Sequence, residues 1–100
     1  MSLPIHHIVD GAPRPVAPFS HAVEAEGFVF VTGQMPTDPA APDAPLPGGI
    51  EAQTRRVFDN LRIVLGGLGL GLEHVVMARI YLTEFKRDYA ILKRIWPEFW

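Results

Sequence analysis

Between residues 36 and 49 the sequence places five prolines (Pro36, Pro39, Pro42, Pro45 and Pro47) and then Gly48-Gly49. Proline fixes φ and has no N–H to give to a helix or a ladder, so no regular element runs through this stretch. It is too long for an ordinary connection and reads as a surface loop. It also divides the apolar pattern in two. Before it, apolar residues alternate or run in short bursts, as strands require. After it they recur at helical spacing. A chain patterned this way is α+β. One hundred residues make one domain at most.

The first part predicts a short strand over residues 5–9 (IHHIV), then a turn-rich connector over 10–15 with Pro13 and Pro15. Residues 19–24 (FSHAVE) and 28–33 (FVFVTG) predict the two arms of a hairpin, with Glu26-Gly27 as its tight turn. In the second part Ile50, Thr54, Val57, Leu61, Val64, Leu65 and Leu68 share one face of a helix of about five turns. Gly66, Gly67, Gly69 and Gly71 end it. Residues 74–83 (HVVMARIYLT) predict a central strand, with Val76, Ala78, Ile80 and Leu82 on one side and Val75, Met77, Arg79 and Tyr81 on the other. Both sides are mostly apolar, so both need cover. The helix supplies one, and a neighbouring subunit is expected to supply the other.

Residues 86–100 predict a second amphipathic helix with Tyr89, Leu92, Trp96 and Phe99 on its apolar face. Pro97 kinks it, since proline costs about 3 kcal/mol inside a helix. The sequence then stops on Phe99-Trp100 without a helix stop signal, and two helices on three or four strands leave a sheet edge open. The expectation is a single domain over residues 1–100 that is incomplete at its C-terminus.

There is no cysteine, which excludes disulfides and thiolate metal sites. Nine Lys and Arg against eleven Asp and Glu give a formal charge of −2, so no nucleic-acid partner is expected. No apolar run approaches the ~20 residues that span a bilayer. The N-terminus lacks a basic segment followed by an apolar core. These features predict a cytoplasmic protein with no membrane partner. A short chain buries a modest share of its surface, and oligomerisation is the expected supplement.

The histidines give no metal site. His6 and His7 are adjacent in a strand and point apart, and no helical i,i+4 pair exists. All four are read as partly exposed structural residues. Ser20-His21 also point apart, so they are not a nucleophile and base. The glycines of residues 66–71 (GGLGLG) follow a helix and lead into a strand, the reverse of a phosphate loop. What remains is Phe19-Ser20 and Thr32-Gly33-Gln34, which the hairpin brings to one end. Thr32 offers a hydroxyl, Gly33 an approachable N–H and Phe19 an aromatic wall. A plain strand terminator with Phe19 in the core fits these residues equally well.

Four stretches taken in order, residues 12–23 (APRPVAPFSHAV), 31–39 (VTGQMPTDP), 53–69 (QTRRVFDNLRIVLGGLG) and 75–85 (VVMARIYLTEF), resemble the RidA/YjgF family of imine deaminases. Its members were long described as endoribonuclease L-PSP or translation inhibitors. The resemblance rests on Pro18, Ser20, Gly33-Gln34, Pro36, Asp38-Pro39, Gln53-Thr54, Asn60 and Gly69 in combination. It implies a chorismate-mutase-like fold: a mixed sheet with two helices on one face, closing with two other subunits into a barrel. It also implies a homotrimer with pockets between subunits for a small carboxylate-bearing ligand, and no cofactor. The implied reaction is that of a 2-iminobutanoate/2-iminopropanoate deaminase, which hydrolyses reactive enamines and imines to 2-oxo acids and ammonia. Phe19 stands where the family has a pocket tyrosine, and Thr32 where a serine or threonine faces the pocket. Gly33 and Gln34 match outright, and Lys93 falls near a pocket asparagine. The family's carboxylate-binding arginine and water-positioning glutamate belong to strands after Trp100, so the catalytic set is not in these residues. A non-catalytic ligand-binding or regulatory trimer is the alternative. Ribonuclease activity is disfavoured by the charge.

Overall fold

Alternation in the N-terminal third builds an antiparallel meander, β1 (Ile5–His7), β2 (Ala22–Ala25) and β3 (Phe28–Val31), in the order β1-β2-β3. The computed structural model describes residues 3–15 and 17–100. Ala22 sits opposite both His7 and Val31, and Val23 opposite both His6 and Phe30. The β2–β3 turn is Glu26-Gly27, with φ of 52° and 80°. Positive φ at both central residues is the twist that a two-residue hairpin favours, and glycine takes the second place without strain. β1 stops short of the predicted residue 9 because the Val9 N–H is given to the ring of His21 and not to a neighbouring strand.

Successive strand residues face opposite ways. In β3, Val29 and Val31 turn inward, while Phe28 and Phe30 remain 64% and 63% exposed. The inner side meets α1 (Ile50–Gly67), where Val64, Ile63 and Leu68 close on Val9, Ala22, Val29 and Val31. The predicted helix is therefore present at its predicted length. Its most buried aromatic is Phe58, which lies off the predicted stripe.

The glycines end α1 as expected. The Leu70 N–H donates to Leu65 O at 2.8 Å and the Gly69 N–H to Gly66 O at 3.1 Å, with Gly69 at φ 75°. This pair of bonds caps the helix through a left-handed residue. Gly67 has a second reason to be glycine: an added Cβ would overlap Val9 Cγ1.

α2 (Phe85–Ile95) packs on α1, and a 3-10 turn over Trp96–Glu98 takes up Pro97. Its buried side is Asp88, Leu92 and Ile95, which corrects the face predicted through Tyr89. Tyr89 is exposed and stacks on Phe85 at 4.7 Å. One residue rotates a helix by about 100°, enough to trade Tyr89 for Asp88. Phe58 then gathers the end of the chain: Phe99 stacks on it at 4.0 Å, and Trp96 and Trp100 meet it edge-on.

The predicted central strand over 74–83 does not form. Leu72–His74 is a 3-10 turn, and residues 75–82 join no ladder. Val76, Met77 and Tyr81 are 91%, 71% and 85% exposed. A strand exists only as part of a ladder, and no strand among the described residues pairs with this segment. The sheet is accordingly antiparallel throughout its described extent and not mixed. No helix among the described residues is long and apolar enough to cross a membrane.

Candidate functional site

The hairpin brings its two polar stretches together, as predicted. Beyond the regular ladder, the Thr32 N–H donates to His21 O at 3.1 Å. The Thr32 hydroxyl donates to Ser20 O at 2.5 Å, and the Gln34 amide donates to Thr32 O at 3.1 Å. Phe19, next to Ser20, is 40% exposed and so lies at the surface, not in the core. The Thr32 hydrogen is committed to the backbone, which leaves its oxygen free to accept. Gly33 is exposed, and nothing lies within 4 Å of where its Cβ would be. Its N–H has no acceptor among the described residues.

Behind this rim stands His21, only 2% exposed, which corrects its reading as a partly exposed residue. Nδ1 accepts from the Val9 N–H at 2.8 Å, and Nε2 donates to Pro13 O at 2.7 Å. The two partners fix the neutral tautomer with its hydrogen on Nε2. Ser20 Oγ lies 3.4 Å from His6 Nδ1, a long contact on the exposed side. The described residues contain no cluster of three His, Asp or Glu able to hold a metal.

Lys93 is on the exposed side of α2, and no hydrogen bond or ion pair joins it to the rim. The charge that the fold does organise lies at the other end of α2. Arg87 grips the Asp88 carboxylate through Nε at 2.9 Å and Nη2 at 3.0 Å. That hydrogen bonding holds Asp88 below the usual carboxylate range and raises Arg87. An open groove of 710 Å³ lies between Arg62, Leu72, Glu73, Val75, Phe99 and Trp100, and shares no residue with the rim. The Arg62 guanidinium lies 5.2 Å from the centre of the Phe99 ring, a cation–π distance.

Sequence reasoning gave no site role to Asn60. It is fully buried in α1, and its amide donates to Met35 O at 3.0 Å and Thr37 O at 2.8 Å. Two carbonyl acceptors fix which end of the amide is nitrogen, and they leave Oδ1 buried without a partner. Such an orphan acceptor costs about 1–3 kcal/mol. The signal was present: Asn60 follows Val57 by three and precedes Val64 by four, which puts an amide on the apolar face.

The sequence profile of the Endoribonuclease L-PSP family matches residues 9–100. The chain belongs to the RidA/YjgF family. Among the relatives of this RidA/YjgF chain is a RutC family protein of Pyrococcus horikoshii, 33% identical over 90 residues, covering 90% of this chain and 70% of that one. Protein DfrA of Myxococcus xanthus is 36% identical over 92 residues, with 90% and 69% covered. Solved structures agree. The Rid-family protein YyfA of Yersinia pestis superposes with a TM-score of 0.88 at 26% identity, over 97% of this chain and 75% of its own. RidA from an Antarctic Psychrobacter gives 0.77 at 26% identity, over 96% and 76%.

Proposed function

We propose that this RidA/YjgF chain uses the hairpin rim to bind a small carboxylate-bearing enamine or imine, and that the assembled protein hydrolyses it. The observation that carries the reading is Gly33. Among the described residues nothing lies near its missing Cβ, its φ is not in the left-handed region, the residue is exposed, and its N–H has no acceptor. A position kept open in this way suits the close approach of a ligand. Beside it the Thr32 oxygen accepts from the imine N–H, Phe19 shields one side from solvent, and Gln34 braces Thr32 through its carbonyl.

The chemistry needs little more than positioning. The enamine takes a proton at carbon to become the imine. Water adds to the C=N carbon, nitrogen takes up the proton, and the C–N bond breaks. One imine and one water give one 2-oxo acid and one ammonia. Members of the family perform this without a cofactor, with an arginine on the carboxylate and a glutamate on the water, and the resemblance places both after Trp100. The pocket is completed by a neighbouring subunit. The exposed Phe28 and Phe30 face of the sheet fits closure of three copies into a barrel in the cytoplasm.

A second reading, a non-catalytic ligand-binding trimer, is favoured by Phe19, which keeps the aromatic wall but has no hydroxyl to polarise a substrate. The two readings part in one assay. A serine dehydratase generates 2-aminoacrylate, and pyruvate release is followed with and without the full-length protein. Acceleration is expected. Binding of 2-oxobutanoate without acceleration would sink the deaminase and leave the binding protein.

A further inference from the structure

We infer that Asn60 is a positioning residue for the rim: its side-chain amide, projecting from α1, sets the path of the backbone that leaves Thr32-Gly33-Gln34. The inference rests on the ligand-binding role proposed for that rim. Downstream of Gln34 the chain makes no ladder, and Met35 is 59% exposed. Residues 34–37 thus lack sheet pairing and full burial, the two things that usually fix a backbone. Asn60 replaces them with two hydrogen bonds, to Met35 O and Thr37 O, that straddle Pro36. Pro36 has a fixed φ, so holding the carbonyls on either side of it fixes the segment as a unit. Gly33 lies two residues upstream of the first anchor, and the direction of its free N–H follows from where that anchor sits.

The amide carries a cost, because Oδ1 finds no partner among the described residues. A leucine of similar size would remove that cost and with it the donor that Met35 O and Thr37 O share, so the tether is what the amide provides. Neither a hydroxyl nor a carboxylate supplies two N–H donors from one atom, as the Asn60 nitrogen does.

The test uses the whole chain and the Asn60→Leu variant. The backbone N–H order parameters of residues 33–35, 37 and 38 should fall from the rigid range of about 0.85 to below about 0.6, while those of β2, β3 and α1 change far less. The KM for 2-iminobutanoate should rise by at least about fivefold, with a smaller change in kcat. Order parameters that fall equally in all elements would make Asn60 a merely structural residue and overturn the inference. So would unchanged order parameters at residues 33–38 in a folded variant. Should Asn60→Leu fail to fold, the wild-type protein gives the answer: the Asn60 side-chain NH₂ protons should be protected from exchange, and free exchange there overturns the inference. A loss of order confined to residues 33–38 in the variant, together with a wild type that does not turn over 2-iminobutanoate, would uphold the tether and reject the deaminase.

Discussion

Gly33 and Gly67 are the same residue for opposite reasons. At Gly67 the chain itself fills the space, with Val9 Cγ1 where a Cβ would go. At Gly33 the space is open. Gly67→Ala should therefore destabilise the fold by about 1–3 kcal/mol in urea unfolding, as overpacking does. Gly33→Ala should stay within about 0.5 kcal/mol of the wild type, yet weaken binding of 2-oxobutanoate. Equal stability losses at the two sites would remove the case for a ligand edge at Gly33. Lys93 is exposed on α2 and bonds to none of the rim residues within one chain. If its ammonium meets a ligand carboxylate, Lys93→Met should weaken 2-oxobutanoate binding by at least about threefold in calorimetry, less than the loss of a bidentate arginine contact. Unchanged affinity would count against it. The nearness of Phe19-Ser20 to Thr32-Gly33 was readable because a hairpin is a local object, and its turn fixes its register. The burial of His21 was not readable, because Val9 and Pro13 reach it through a connector whose path no periodicity encodes.

Elements were legible where their period was unbroken. The helix over Ile50–Gly67 and its glycine stop follow from spacing and from one left-handed residue. The second helix was placed correctly and its Leu92, Trp96 and Phe99 do face the core, but Tyr89 does not and Asp88 does, because a search for apolar stripes passes over a buried carboxylate. Asp88 is tolerated on the inner face because Arg87 satisfies both its oxygens. Its folded-state affinity for protons is lowered, so its contribution to stability is present at neutral pH and is lost as the pH falls through and below the ordinary carboxylate range. Asp88→Asn should lower the melting temperature at pH 7, and the gap from the wild type should narrow on acidification. A gap that widens in acid would contradict the assignment. The segment 75–82 was misread for a different reason. Its composition favours a strand, but strand formation depends on a neighbour that its own residues do not encode.

At the scale of the molecule, the α+β class followed from the change of period across the proline loop, and the expectation of assembly rests on the shortage of core. Phe28, Phe30, Val76, Met77 and Tyr81 leave large apolar side chains in water, the kind of surface that marks an interaction site where it is contiguous. Sedimentation of the full-length protein should give a species of about three chain masses that resists dilution. A stable monomer would refute closure into a trimer and with it the pocket between subunits. The loop over 36–49 has its own architecture: turns close at Asp38–Ala41 and Ala41–Ala44, and Gln53 of α1 donates to Pro47 O at 2.8 Å near its far end. One helix thus pins the loop near both ends, through Asn60 and Gln53, while residues 40–46 between them are exposed. Length between two such pins is free to drift. Insertions and deletions confined to residues 40–46 would leave both anchors in register, so changes of length there are mechanically insulated from the rim beside it.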